Sequence, residues 1–138
     1  QAKAILLRAV LQDNPEKRFA DLDKALEVDP DSIEALQARA FLHIEKDDFE
    51  KAIPDLVRLV EKDPTNILAS GALAEALTNA KKFDEALKYA NKLVEQSPKV
   101  SLGYNLRARI LVLKDDMKGA LEDLNKALDV DGCFGQER

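Results

Sequence analysis

Apolar residues along the chain recur at spacings of three and four and never in sustained alternation, which is the signature of amphipathic helices rather than strands. In the stretch SIEALQARAFLHIEK, Ile33, Leu36, Ala40 and His43 fall on one side of a helix, and in EKAIPDLVRLVEKDP so do Ile53, Leu56, Leu59 and Val60. Carried along the chain, this pattern predicts helices over 2–12, 16–28, 33–46, 49–62, 67–80, 84–96, 101–114 and 117–130. Asp31 followed by Glu34 predicts a capping box at the start of the third helix. Pro54 lies inside the fourth, where it is expected to kink the helix or delay its start.

The pattern is itself periodic. Pro30, Pro64 and Pro98 stand 34 residues apart, and the next step lands on Gly132, which also ends helices. The same period aligns Ala52, Ala86 and Ala120, then Ala40, Ala74 and Ala108, then Phe49, Phe83 and Met117. Four turn pairs share one column: Asp13-Asn14, Asp47-Asp48, Lys81-Lys82 and Asp115-Asp116. The chain reads as one array of four copies, about 1–32, 33–66, 67–100 and 101–134. The first is atypical, because Leu6 and Arg18 take its two alanine columns. Alanine lets two helix backbones approach closely, so Ala52, Ala86 and Ala120 are expected to be buried. Gly71 and Gly103 weaken their helices, a cost acceptable where two helices pack tightly or a ligand passes close.

With their small-residue columns, an aromatic after the mid-repeat turn and a closing proline, these copies resemble the tetratricopeptide repeat (TPR) family over nearly the whole chain. The resemblance implies an all-α fold in which antiparallel helix pairs stack into a right-handed superhelix, an α-solenoid, with the first helix of each pair lining a concave groove. Helical rotation of about 100° per residue then places one flank of each first helix toward that groove. The flank carries Lys3, Leu7 and Val10, then Glu34, Gln37, Phe41 and Ile44, then Leu68, Gly71, Glu75 and Thr78, then Leu102, Asn105, Arg109 and Val112. Apolar residues with sparse polar ones suit a peptide, with Phe41 as anchor. Asn105 and Arg109, four apart, project together and are able to hold a partner's backbone and carboxylate. Phe41, Leu68 and Leu102 read equally as packing between repeats, and Arg109 as half of an ion pair within the chain.

The function implied is a non-catalytic scaffold for a peptide or partner helix; the alternative is a recruiting or self-assembly module of a larger multidomain enzyme or complex. Some family members grip acidic chaperone tails through Lys, Asn and Arg on successive first helices. The corresponding surface here shows Gln37, Phe41, Leu68, Ala72 and Leu106, which disfavours that activity. The asparagine ladder of another subgroup is replaced by Ala4, Ala38, Ala72 and Leu106.

Charge and rare residues narrow the picture further. The 21 basic and 26 acidic residues interleave to a net charge of -5, which argues against a nucleic-acid partner, and no apolar run is long enough for a membrane span. Cys133 is the single cysteine, so no internal disulfide or cysteine-rich metal site forms; a reducing, cytoplasmic setting is mildly favoured. His43, the single histidine, falls in the packing column of Leu77 and Leu111 and reads as a helix contact. The Asp pairs read as turns, and Asp129–Gly132 lacks the distal Glu of a calcium loop, so no metal, cofactor or catalytic residue is expected. The sequence opens on Gln1 and reads as part of a longer chain. Leu121, Leu124 and Leu128 on the last helix predict either further chain or a homo-oligomer contact at that end.

Overall fold

The computed structural model describes residues 2–11 and 13–131, and within them every regular element is an α-helix. In order these are α1 (Ala2–Leu11), α2 (Pro15–Val28), α3 (Ile33–Glu45), α4 (Phe49–Lys62), α5 (Ile67–Asn79), α6 (Phe83–Gln96), α7 (Ser101–Leu113) and α8 (Met117–Val130). Their ends fall within one residue of the periodicity reading. Gly132 and Cys133 lie outside the described residues.

The chain divides into two compact units, Gln1–Pro64 and Thr65–Arg138. In the first, α1 packs on α2, α2 on α3 and α3 on α4; in the second, α5 packs on α6, α6 on α7 and α7 on α8, and the two first helices α5 and α7 also meet. The alanine columns are buried as expected, Ala52 and Ala86 completely and Ala120 almost so, as are Ala40, Ala74 and Ala108. Around them Leu36, Leu56, Leu73, Leu77, Leu93 and Ile110 are fully enclosed, each burial contributing about 1.5–3 kcal/mol.

Helix ends follow local chemistry. Asp29, Asp63 and Ser97 close α2, α4 and α6 at φ of -138°, -140° and -137°. Each precedes a proline, whose Cδ pushes its neighbour out of the helical region. Asp131, which precedes no proline, stays helical at φ -73°. The turns inside the repeats are superimposable Schellman motifs: Asp48, Lys82 and Asp116 each donate a backbone N–H, at 2.8 Å, to His43, Leu77 and Leu111. Asp47, Lys81 and Asp115 hold the left-handed position of those turns, with φ of 61°, 65° and 66°.

One local expectation needs correction. Ser32, not Asp31, caps α3 by accepting from the Ala35 N–H at 3.3 Å, while Asp31 faces Arg58 at 3.2 Å and Lys62 at 3.3 Å. A carboxylate reached by two cations has less to gain from a helix N–H. Pro54 sits exposed inside α4 without delaying its start, which remains at Phe49.

Half-buried arginines that clamp buried aspartates add to the apolar core. Arg39 donates from Nε and Nη2 to the two carboxylate oxygens of Asp55, at 2.7 Å each, and from Nη1 to Asp23 at 2.8 Å. One guanidinium thus ties α3 to α4 and back to α2. Arg107 does the same for α7, with 2.8 and 2.7 Å bonds to Asp123 and a 3.2 Å bond to Asn91 on α6. Asp55 and Asp123 are buried, and fork-to-fork pairing is what makes an enclosed carboxylate tolerable. The hydrogen bonds to Asp55 and Asp123 hold both guanidiniums still more firmly protonated than usual. In the third repeat Leu73 and Tyr89 occupy the Arg and Asp columns, with Leu73 fully buried.

Candidate functional site

The predicted flank of the first helices is best described where two such helices touch. Within the second unit a Cβ added at Gly71 would stand 3.1 Å from Leu102 Cδ2, so the leucine of α7 lies directly over the glycine of α5. One or two turns further on, Arg109 Nη1 is 3.7 Å from Glu75 Oε1. Beyond that pair Thr78, Arg109 and Val112 help to line an open cavity of about 460 Å³. Two successive contacts and a shared cavity therefore join the predicted residues of α5 to those of α7 in one strip. Leu68 is 56% exposed at one end, and Val112 and Leu113 are 41% and 51% exposed at the other. Asn105 is exposed on the same helix.

Arg109 is thus engaged by Glu75 across the strip, in a long, half-exposed contact of the kind that contributes little to stability. Leu102 combines both of its readings, since it packs on Gly71 and keeps 37% of its surface. Gly103, next to it, serves packing alone: an added Cβ would meet Val94 Cγ2 and the Val94 backbone nitrogen at 3.0 Å.

In the first unit Leu7 on α1 is exposed, and Gln37, Phe41 and Ile44 on α3 are half-buried. Val10 belongs to α1, but its side chain lies outside the described residues. His43 stacks obliquely on Phe19, with ring centroids 4.6 Å apart, and Lys46 Nζ lies 5.6 Å from the same ring. Its Nδ1 is buried without a hydrogen-bond partner, and burial pushes the imidazole below its ordinary pKa. A helix contact describes this histidine.

The cavity also takes in residues that the helix reading overlooked: Lys81 from the α5–α6 turn, Phe83 from the start of α6 and Leu113 from the end of α7. Among the described residues no group of three or more acidic, His or Cys side chains gathers in a way that could hold a metal ion. None of their helices is long and apolar enough to cross a membrane.

A tetratricopeptide-repeat family model matches residues 43–110. The repeats that this match spans are tetratricopeptide repeats. The TPR fold also emerges from solved structures: MamA from residue 41 onward of Desulfovibrio magneticus RS-1 is 18% identical with a TM-score of 0.87, over 97% of this chain and 77% of that one. Another MamA crystal structure gives 18% and 0.87, over 99% of this chain and 76% of that one. MamA MSR-1 gives 21% and 0.85, over 95% and 77%. At such identities the likeness is one of fold. No curated protein matches the sequence. As a TPR fold the chain is in general terms a protein-interaction scaffold, and the strip along α5 and α7 is its best-defined candidate surface.

Proposed function

We propose that the chain is a non-catalytic scaffold that binds a peptide or partner helix along the groove-facing flank of its first helices, through Leu7, Val10, Gln37, Phe41, Ile44, Leu68, Glu75, Leu102, Asn105, Arg109 and Val112. The observation that carries this reading is the strip in the second unit, where Leu102 lies over Gly71, Arg109 stands beside Glu75, and Thr78 and Val112 line one cavity. Exposed leucines and valines flanked by isolated charges suit an extended segment, because apolar burial supplies affinity and the charges fix register.

The test is selection of a displayed random-peptide library on the native chain and on a Phe41→Ala/Arg109→Ala variant whose folding is verified by circular dichroism. Capture of the selected peptides is expected to fall at least about tenfold in the variant, as loss of an anchor and a charged contact requires. Equal capture by both proteins moves the binding surface away from this flank.

A further inference from the structure

The repeats supply their own controls, and one turn differs from its sisters. The second and fourth repeats carry Asp47-Asp48 and Asp115-Asp116 in the turn between their helices, whereas the third carries Lys81-Lys82. The backbone is the same in all three, so the charge is reversed on a fixed frame. Lysine is moreover ill suited to the left-handed conformation that Lys81 adopts, where asparagine, aspartate or glycine sits more easily. Neither Lys81 nor Lys82 has an ion-pair partner among the described residues, while the neighbouring Lys114 is paired with Asp84.

This turn opens onto the cavity. Lys81 and Arg109 contribute cationic groups to it, and Phe83, Val112 and Leu113 contribute apolar surface. Glu75, the acid nearest Arg109, sits 3.7 Å away and is half exposed, so an incoming carboxylate can displace it at small cost. In a chain of net charge -5, this is a local inversion of sign next to exposed apolar side chains.

We infer that the cavity receives an acidic–aliphatic segment of a partner polypeptide, with a Leu-type side chain against Phe83, Val112 and Leu113 and adjoining Asp or Glu carboxylates facing Lys81 and Arg109. The inference rests on the α5–α7 strip being the binding surface and names the chemistry of its ligand. Because the strip continues from the cavity past Arg109 to Leu102 and Leu68, the segment passes through rather than ending there. From Val112 to Leu102 is about 15 Å along the helix axis, or four to five extended residues at roughly 3.3 Å each, so a second aliphatic residue follows at about that interval.

The probe is a fluorescent peptide with the core Leu-Ser-Ser-Ser-Leu-Glu-Glu-Gly, compared by anisotropy with the same peptide carrying Gln-Gln for Glu-Glu. The acidic peptide is expected to bind at least tenfold more tightly, with an affinity that falls as salt rises. The double substitution Lys81→Asp/Lys82→Asp installs the residues that already fold in the two sister turns. It is expected to abolish the preference for the acidic peptide while leaving the circular dichroism melting curve in place. Equal affinity for the two peptides, or an unchanged preference in the double variant, overturns the inference. Library peptides that bind the native chain without being displaced by the acidic probe overturn it while leaving the scaffold reading intact; a chain that captures no peptide at all overturns both.

Discussion

At residue 81 the backbone sits at φ 65°, where a Cβ crowds the following carbonyl, yet the residue is lysine. Glycine relieves that crowding, which costs about 1 kcal/mol for an ordinary side chain, although its freer unfolded chain offsets part of the gain. Lys81→Gly is therefore expected to raise stability toward urea by up to about 1 kcal/mol while weakening capture of the acidic peptide. Opposite signs in the two measurements separate a residue kept for its charge from one kept for the turn. His43 makes a complementary case. Burial against Phe19 disfavours its charged form, Arg39 and Lys51 act in the same direction, and Asp55 and Asp48 oppose them. A histidine whose folded pKa is depressed takes up protons more readily unfolded. Its contribution is complete above its ordinary pKa of 6.5 and is lost as the pH falls through the lowered folded value. His43→Leu, which installs the residue found at positions 77 and 111, is expected to flatten that part of the profile. Melting temperatures of the two proteins between about pH 7.5 and about pH 5 are the measurement, and parallel curves would contradict it.

Helices here are joined by two kinds of contact that replace each other between repeats. In the second and fourth repeats a guanidinium grips a buried carboxylate; in the third, Leu73 and Tyr89 stand in the same columns. Asp123→Ala leaves Arg107 with Asn91 as its hydrogen-bond partner and is expected to cost about 2–3 kcal/mol, less than a fully dry pair because the guanidinium retains about a quarter of its exposure. Arg107→Leu combined with Asp123→Tyr, which borrows the third repeat's solution, is expected to return to within about 1 kcal/mol of the native chain in urea denaturation. A double variant as weak as the single one would mean that the two solutions are not equivalent. Helix boundaries were legible in the sequence because proline, alanine and the turn pairs punctuate the period chemically. The cap of α3 was not, since Asp31 and Ser32 are both good caps and only the proximity of Arg58 and Lys62 decides between them. The clamps were not legible because their arginines and aspartates are scattered among many other charges, 34% of the chain, and the arginine recurs only at every second repeat. Helical rotation placed the strip on α5 and α7, but not the cavity, whose Phe83 and Leu113 come from opposite ends of α6 and α7.

At the scale of the whole molecule, each compact unit contains two repeats and one three-partner clamp, and the first also holds Arg8 on buried Asp21 at 2.7 Å. Asp23, Arg39 and Asp55 serve the first; Asn91, Arg107 and Asp123 serve the second, each two 34-residue periods from its counterpart. The apolar surface of α8 remains open in the same unit as the candidate strip, with Leu121, Leu124 and Leu128 exposed. Clamp geometry also constrains how such an array can grow by tandem duplication. Arg39 needs an acid in the repeat before its own, and the residue that a copied second repeat would set in that place is Val57. Copying one repeat would keep the arginine's grip on Asp55 but set an aliphatic side chain where Asp23 stands, whereas copying two together carries every partner along.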